Sequence, residues 1–531
     1  MARTDMIWVL RRLLRAAASS DVSGRPAHEI LEEWRAATAL DRGRRRVLGV
    51  GAAAVAAAAF PPTRARAARA SGGVAIIGAG LAGLSCAYQL AAKGVRATLY
   101  EAAQRAGGRC WSHAGLFPGQ VAERGGELID TTHTTMRGYA NAFGLTLEQV
   151  SKQPGEVRYY FDGFYYDEAE VVEEFRAFVP AMRADLRRIG SPTAERHTAY
   201  ERTLDLTSLA EYLDTRGAGG LIRQVLDVAY TIEYGREIGE QSALALLLFA
   251  HADRRSKFRP FGVFSDERFH VVEGNDRIVQ GLVDALPGQL ELGYRLLAAR
   301  RLSDGRIRLV FDAGGTTVES EHDAVVLTLP FSVLREVELD ASLELPAWKR
   351  LAINQLVYGT NAKLMIGFDG RPWFTLHGSN GSSYSDLPDH QSTWETNPTR
   401  ATSASAVITD YSGGLRGAAL DPADAQGEAA RSLAALDLVY PGAASFATRV
   451  GGTYRVLLEN WSKNPLAKGS YTCNQPGYFT SIADNEARPV GNLFFAGEHT
   501  SSFYEWQGFM EGAALSGFRA AREVEALLRG K

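Results

Sequence analysis

Val74-Ala75-Ile76-Ile77-Gly78-Ala79-Gly80-Leu81-Ala82-Gly83 runs straight into Leu84-Ser85-Cys86-Ala87-Tyr88-Gln89-Leu90, and Ala97-Thr98-Leu99-Tyr100-Glu101 follows a short gap later. The first four residues read as a strand buried on both faces, the next segment as a helix, and the last as a second, parallel strand. The glycines between strand and helix have separate tasks. Gly78 permits a tight turn, Gly80 lets the backbone approach a pyrophosphate, and Gly83 allows the helix to pack closely on the strand. The helix N-terminus then faces phosphate charge. Glu101, ending the second strand, is placed to accept hydrogen bonds from a ribose. Strand, glycines, helix, strand and acid in register predict an α/β fold that binds a dinucleotide.

At 531 residues the chain calls for two joined domains rather than one core. A composition of 46% hydrophobic and 22% charged residues is ordinary for a globular enzyme. Residues 1–70 hold 13 arginines and 6 acids, so with an overall charge of −3 the rest carries about −10. No basic stripe remains in the body, which argues against nucleic acid as a partner. Three scattered cysteines, Cys86, Cys110 and Cys473, give neither a disulfide framework nor a metal cluster. Arg44-Arg45-Arg46 precedes the Ala-rich run Val50–Phe60, and Ala65-Arg66-Ala67 and Ala68-Arg69-Ala70 supply A-x-A sites. Together these read as a signal peptide. The apolar run is too short for a membrane span, which needs about 20 residues. Before it, Ile30-Leu31-Glu32-Glu33-Trp34 reads as a short amphipathic helix.

The fingerprint alone leaves NAD and FAD open. Glu101-Ala102-Ala103-Gln104-Arg105-Ala106-Gly107-Gly108-Arg109 resembles the extension of FAD enzymes with a glutathione-reductase-like fold. There the glycine pair, with Gly108, and Arg109 meet the diphosphate and ribityl region. Glu123-Arg124-Gly125-Gly126-Glu127 repeats a glycine pair, and by the same resemblance Gly125 and Gly126 bring backbone close to the isoalloxazine. Near the other end, Asn492-Leu493-Phe494-Phe495-Ala496 reads as a strand entering Gly497-Glu498-His499-Thr500. Then comes Gly508-Phe509-Met510-Glu511-Gly512-Ala513-Ala514-Leu515-Ser516-Gly517. This is similar to the C-terminal signature of the flavin amine oxidases, the monoamine, polyamine and L-amino-acid oxidases, and the similarity extends over about 72–528. It implies a glutathione-reductase-like FAD-binding domain (71–150, 266–340 and 466–531) interleaved with an α+β substrate domain (151–265 and 341–465), after an extension at 1–70. By the resemblance, Glu498 reaches the ribityl and pyrophosphate region, and the backbone from Met510 to Ala513 starts a helix against the flavin N1/O2 edge, where a helix N-terminus stabilises negative charge. The arginine run of the extension resembles a twin-arginine signal, implying export.

Lys363 lies in the apolar run Asn361–Phe368, unusual in a chain with only 8 lysines. A lysine at the matching place in the family binds a water near flavin N5; the plainer alternative is a strand-edge lysine reaching solvent. The resemblance makes Tyr471 and Phe509 the aromatic walls around the substrate nitrogen. Phe509 stands where a tyrosine is frequent, so Trp506 is an alternative second wall. Ser470 occupies the place of the cysteine that attaches FAD in some monoamine oxidases, which implies dissociable FAD, with Cys473 nearby. Among histidines, His251, His270 and His499 lie nearest the recognised segments. The implied reaction moves a hydride from an amine α-carbon to the flavin, with O2 as acceptor and a homodimer as one assembly the family allows. Leu128 stands where L-amino-acid oxidases commonly carry the arginine that holds the substrate carboxylate, so amines lacking a carboxylate are favoured over amino acids. A flavin desaturase or protoporphyrinogen-type oxidase, or a non-catalytic FAD-binding protein, ranks lower. Glu233, Glu237 and Glu505 are candidates for holding a distal cation. No GxSxG, HExxH or CxxC pattern supports a hydrolase or metal site.

Overall fold

The computed structural model describes residues 16–17, 19–21, 23–33, 73–151, 153–251, 266–402, 404–501 and 506–530, with the side chains of 250 and 251 left aside. The arginine run at 44–46 and the A-x-A sites lie outside these residues.

Strand Gly73–Ile77 pairs in parallel with Ala97–Glu101 on one side and with the end of Thr316–Leu327 on the other. Leu493–Phe495 extends the parallel core beyond Val325–Leu327. Antiparallel pairing then adds Ile307–Ala313 and Tyr294–Arg301, so one sheet collects strands from both ends of the chain and its middle. Ala75, Ile76, Val325 and Val326 are completely buried, as a strand covered on both faces requires. Helix Leu81–Ala92 covers one face, and the C-terminal helix Met510–Arg529 lies across it. Their approach is as close as backbone allows: a Cβ on Gly517 would sit 2.3 Å from the Ala82 carbonyl oxygen.

A second sheet runs in the order Val456–Asn460, Ala362–Phe368, Ala406–Ser412, Ser392–Glu395, Ser379–Ser385, Glu156–Phe161, Phe164–Tyr166. Its strands are antiparallel except where Ser379–Ser385 meets Glu156–Phe161. Helices Glu168–Leu186 and Gly220–Tyr234 join this half. The first starts at an Asp167–Glu170 capping box, which satisfies two end amides, and buries Val171, Phe175 and Phe178. Residues 27–33 are helical, as the amphipathic pattern at 30–34 predicts, with Ile30 and Leu31 buried. This segment is tied to helix Glu168–Leu186 through Ala27 N–H to Glu173 (2.7 Å) and Arg183 to Asp21 (2.7 Å). Among the described residues no helix is long and apolar enough to cross a membrane.

Candidate active site

A cavity of about 370 Å³ lies along the carboxyl ends of the parallel strands, where an open α/β sheet offers backbone to a ligand. Gly78, Gly80, Glu101, Gly108, Arg109, Gly497, Glu498, Phe509, Met510 and Ala513 all line it, a convergence of segments more than 400 residues apart in the sequence. Two long helices begin at its wall, and neither N-cap residue, Gly80 or Phe509, supplies a side-chain cap, so their first amides are left for a ligand. A Cβ on Gly80 would meet no atom within 4 Å, a cradle kept open on the cavity side. Gly78 holds φ +104°, which L side chains rarely adopt, and its missing Cβ makes room for the Thr328 hydroxyl. Gly83 is not in the lining. Its missing Cβ would fall 2.0 Å from the Gly78 carbonyl oxygen, so it serves the closeness of helix to turn.

The charges fit a diphosphate flanked by polyols. Arg109 donates to the Ser470 carbonyl and pairs with Glu498 at 3.2 Å. The other Glu498 oxygen accepts from Thr472 Oγ1 (3.0 Å) and Gly508 N–H (2.9 Å), which fixes the carboxylate. Glu101 accepts from the amides of Ala79 (2.8 Å) and Ala103 (2.9 Å) and keeps further lone pairs for hydroxyl donors. Burial pushes its carboxyl above the ordinary range, against the pull of those amides. Arg105, which the sequence reading passed over, also lines the cavity; its guanidinium stacks on Trp111 at 4.0 Å while Arg124 covers the ring at 3.7 Å. The residues present therefore fit FAD: anion-binding amides and arginines in the middle, carboxylates at either side.

Other candidates stand behind this lining. Gly125 and Gly126 act on Arg109: a Cβ on Gly125 would fall 1.8 Å from the Arg109 carbonyl oxygen, which accepts from Gly126 N–H at 3.0 Å. Lys363 is buried rather than at a solvent edge, and donates to the carbonyls of Gly125 (2.9 Å) and Glu123 (3.2 Å) and to the Glu127 carboxylate. Tyr471 is fully buried; its hydroxyl donates to the Ile232 carbonyl (3.2 Å) and meets that of Tyr411 at 3.0 Å. Trp506 and Phe509 are joined by a residue the sequence reading did not single out. The buried His133 ring lies 5.3 Å from Trp506 and 5.1 Å from Phe509. Asp130 N–H donates to its Nδ1 at 3.0 Å, leaving the proton of the neutral ring on Nε2, 3.3 Å from Asp130 Oδ2. Burial pushes His133 down to about 4, so the ring is uncharged at neutral pH. Glu511 ties the same corner together, accepting from the first amides of helix Thr134–Ala142 at Thr135 and Met136 (2.9 Å each).

A second cavity, about 80 Å³, is lined by Glu127, Asp266, Glu267, Glu395, Leu128, Val150 and Trp394 among others, and no lysine or arginine belongs to its described lining. Of the remaining histidines, His270 pairs with Glu148 at 2.6 Å, and His499 packs on Phe331 with its pKa held well below the usual value by burial. The His251 side chain and Glu505 lie outside the described residues. Glu237 accepts from Leu415 N–H at 2.8 Å, and Glu233 is buried on helix Gly220–Tyr234. Ser470 donates to Asn361 at 2.6 Å, and Cys473 is completely buried opposite Val357.

Comparison with known proteins agrees with this geometry. An L-amino-acid oxidase of Bungarus fasciatus is 24% identical over 470 residues, spanning 85% of this chain and 86% of the relative. L-amino acid oxidase Bs29 of Bothriechis schlegelii is 25% identical over 475 residues (85% and 89%). Among solved structures, wild-type putrescine oxidase bound to putrescine superposes with a TM-score of 0.72 at 19% identity, covering 86% of this chain and 99% of that one. Cyclohexylamine oxidase from Brevibacterium oxydans gives 0.72 at 20% identity with the same coverage. The profile of flavin-containing amine oxidoreductases matches residues 81–525, and the chain belongs to that family.

Proposed function

We propose that this protein is an FAD-dependent oxidase of amines that lack a carboxylate. Substrate amine, O2 and water would give a carbonyl compound, ammonia or an amine, and H2O2, by way of an imine that water hydrolyses. The small cavity carries the choice of substrate. Four carboxylates line it, Leu128 occupies the place where an arginine would grip a substrate carboxylate, and Lys363 and Arg371 balance Glu127 and Glu395 from outside. An α-carboxylate entering there would meet no arginine or lysine in the described lining to grip it.

When bound, FAD supplies the acceptor for the hydride. Arg109, Glu498, Glu101 and the amides at Gly80 and Met510 hold it by charge and hydrogen bonds, and Gly83, Gly125 and Gly126 serve by keeping that frame close-packed. Ser470 carries no thiol and the buried Cys473 is not in the lining, while Cys110, which does line the large cavity, is buried with its thiol pushed up by burial and so held protonated; this supports dissociable FAD. Phe509 presents a ring to the cavity, and His133, neutral and wedged against it, keeps the wall uncharged and fixed in orientation. Such a wall favours the neutral amine, the form with a nitrogen lone pair to assist hydride loss, and Tyr471 is braced by the Tyr411 hydroxyl. Strand membership supports assigning 71–150, 266–340 and 466–531 to FAD binding and 151–265 and 341–465 to the substrate.

The names of the curated relatives favour a second reading, L-amino-acid oxidation. Anaerobic mixing of the FAD-loaded protein with panels of amines and L-amino acids separates the two. Bleaching of the flavin by amines only, with peroxide on readmitting air, supports the proposal; bleaching by amino acids only replaces it. The arginine run at 44–46 supports export through a twin-arginine signal. An N-terminus near 68–71 on protein recovered outside the cytoplasm is expected, and an intact Met1 there refutes cleavage.

A further inference from the structure

Lys363 Nζ carries three N–H bonds, and the fold gives each an acceptor: the Glu123 carbonyl, the Gly125 carbonyl and the Glu127 carboxylate. The Glu127 side chain is 2% exposed and that of Lys363 4%, so this is an interior ion pair. The second Glu127 oxygen accepts from Trp394 Nε1–H at 3.0 Å, which prevents the carboxylate from swinging away. Sheet register assembles the arrangement. Lys363 stands opposite Tyr411, and Trp394 opposite Thr409, so with a two-residue period all four share one face. The 123–127 turn crosses that face, and its Gly125 and Gly126 rest on Arg109, which lines the large cavity. Other titratable groups near Nζ are Glu123, whose carboxylate turns away to Ser112 and the Asn275 amide and is pushed up to about 8 by burial, Tyr411, held as the neutral phenol by burial, and Glu459, which stands opposite Lys363 on the neighbouring strand and is paired with Arg124 at 2.7 Å.

We propose that Glu127 is a positioning residue that immobilises the Lys363 ammonium and cancels its charge, so that a flavin in the large cavity, separated from the pair by Gly125, Gly126 and Arg109, senses a neutral pair and not a free cation. The proposal rests on FAD occupying that cavity as argued above. A buried cation without its counter-charge stabilises negative charge nearby, because the low-dielectric interior screens it poorly. Glu127 therefore restrains the flavin's tendency to accept electrons, and its loss should shift the oxidised-to-reduced balance toward reduction.

The test is a dye-equilibrated reductive titration of the FAD-loaded full chain at pH 6, using a chemical reductant and no amine. Wild type is compared with Glu127→Gln, Lys363→Met and the double variant. Glu127→Gln is expected to move the balance toward reduced flavin at least tenfold, equal to about 30 mV for a two-electron couple. Adding Lys363→Met is expected to abolish that shift, bringing the double variant to within about threefold of wild type. A balance within about threefold of wild type in Glu127→Gln overturns the proposal, as does a shift that persists in the double variant. Should Glu127→Gln fail to fold, with its amide facing the Trp394 N–H, Glu127→Met carries the same test with an apolar chain of similar length. A purely structural Glu127 would lower the melting temperature in these variants and leave the redox balance alone. Because no amine is present, an unchanged balance refutes the role of Glu127 without touching the amine-oxidase reading, and failure of amines to bleach the flavin does the converse.

Discussion

Alanine at Gly80 and alanine at Gly83 put two different questions to one turn. At Gly83 the added Cβ would stand 2.0 Å from the Gly78 carbonyl oxygen and 3.2 Å from the Ile76 side chain. An ordinary Cβ contact is 3.4–4 Å, so helix Leu81–Ala92 would have to retreat by more than 1 Å from a strand whose other face is also covered. Overpacking of that kind costs about 1–3 kcal/mol, and here it falls on backbone, which cannot rotate away. Gly83→Ala should therefore lower thermal stability with or without cofactor. At Gly80 the backbone is extended, φ −73° and ψ −179°, and the Cβ would meet nothing. By its effect on the unfolded chain alone, Gly80→Ala should leave the cofactor-free protein unchanged or stabilise it by about 0.4–1 kcal/mol. If a diphosphate lies against this backbone, the same methyl obstructs it, and FAD should bind at least tenfold more weakly, a loss of about 1.4 kcal/mol. Melting temperature measured against FAD concentration separates intrinsic stability from binding in one series, since ligand raises stability as the logarithm of its concentration over Kd. Gly80→Ala with wild-type FAD dependence would show that the diphosphate is not held here. Gly83→Ala with an undiminished cofactor-free melting temperature would refute the close-packing argument.

Arg109→Ala removes the partner of a Glu498 side chain that is only 6% exposed, and should weaken FAD retention at least tenfold, read as flavin lost on gel filtration. Gly517→Ala sets a Cβ 2.3 Å from the Ala82 carbonyl oxygen and should lower the melting temperature through the helix contact, with FAD affinity less affected than in Gly80→Ala. His133 and His390 are both held near 4 by burial, below the 6.5 of an unfolded histidine. A depressed value means that the stability they contribute is intact above 6.5 and lost as pH falls from 6.5 toward 4. At pH 5 each should cost about 2 kcal/mol relative to pH 7, and denaturant unfolding of a His133→Gln variant should show a visibly smaller loss over that range.

What the sequence disclosed and what it concealed follow from the range of the interactions. The 74–101 segment was legible because strand, turn and helix are local: Val74–Ile77 needs only its apolar run, and Gly78, Gly80 and Gly83 sit in one turn whose geometry depends on neighbours a few residues away. Lys363 was conspicuous as a charge in an apolar strand, but its partner Glu127 lies 236 residues earlier, in a turn where an acid looks unexceptional. Nothing in either segment's periodicity could pair them, because register between the 123–127 turn and the second sheet is fixed by tertiary packing. His133 was hidden for a related reason. It precedes helix Thr134–Ala142 without capping it by its side chain, so it bears no local signature, and its meaning comes from Phe509 and Trp506 arriving from the far end of the chain. Arg105 went unnoticed inside a stretch already credited to Arg109, since one arginine sufficed to explain a diphosphate until the Trp111 stack placed a second on the same wall. The residues that bind the common cofactor are thus written in local motifs. Glu127 with Lys363 and His133 with Phe509 are long-range pairs that only tertiary packing brings together.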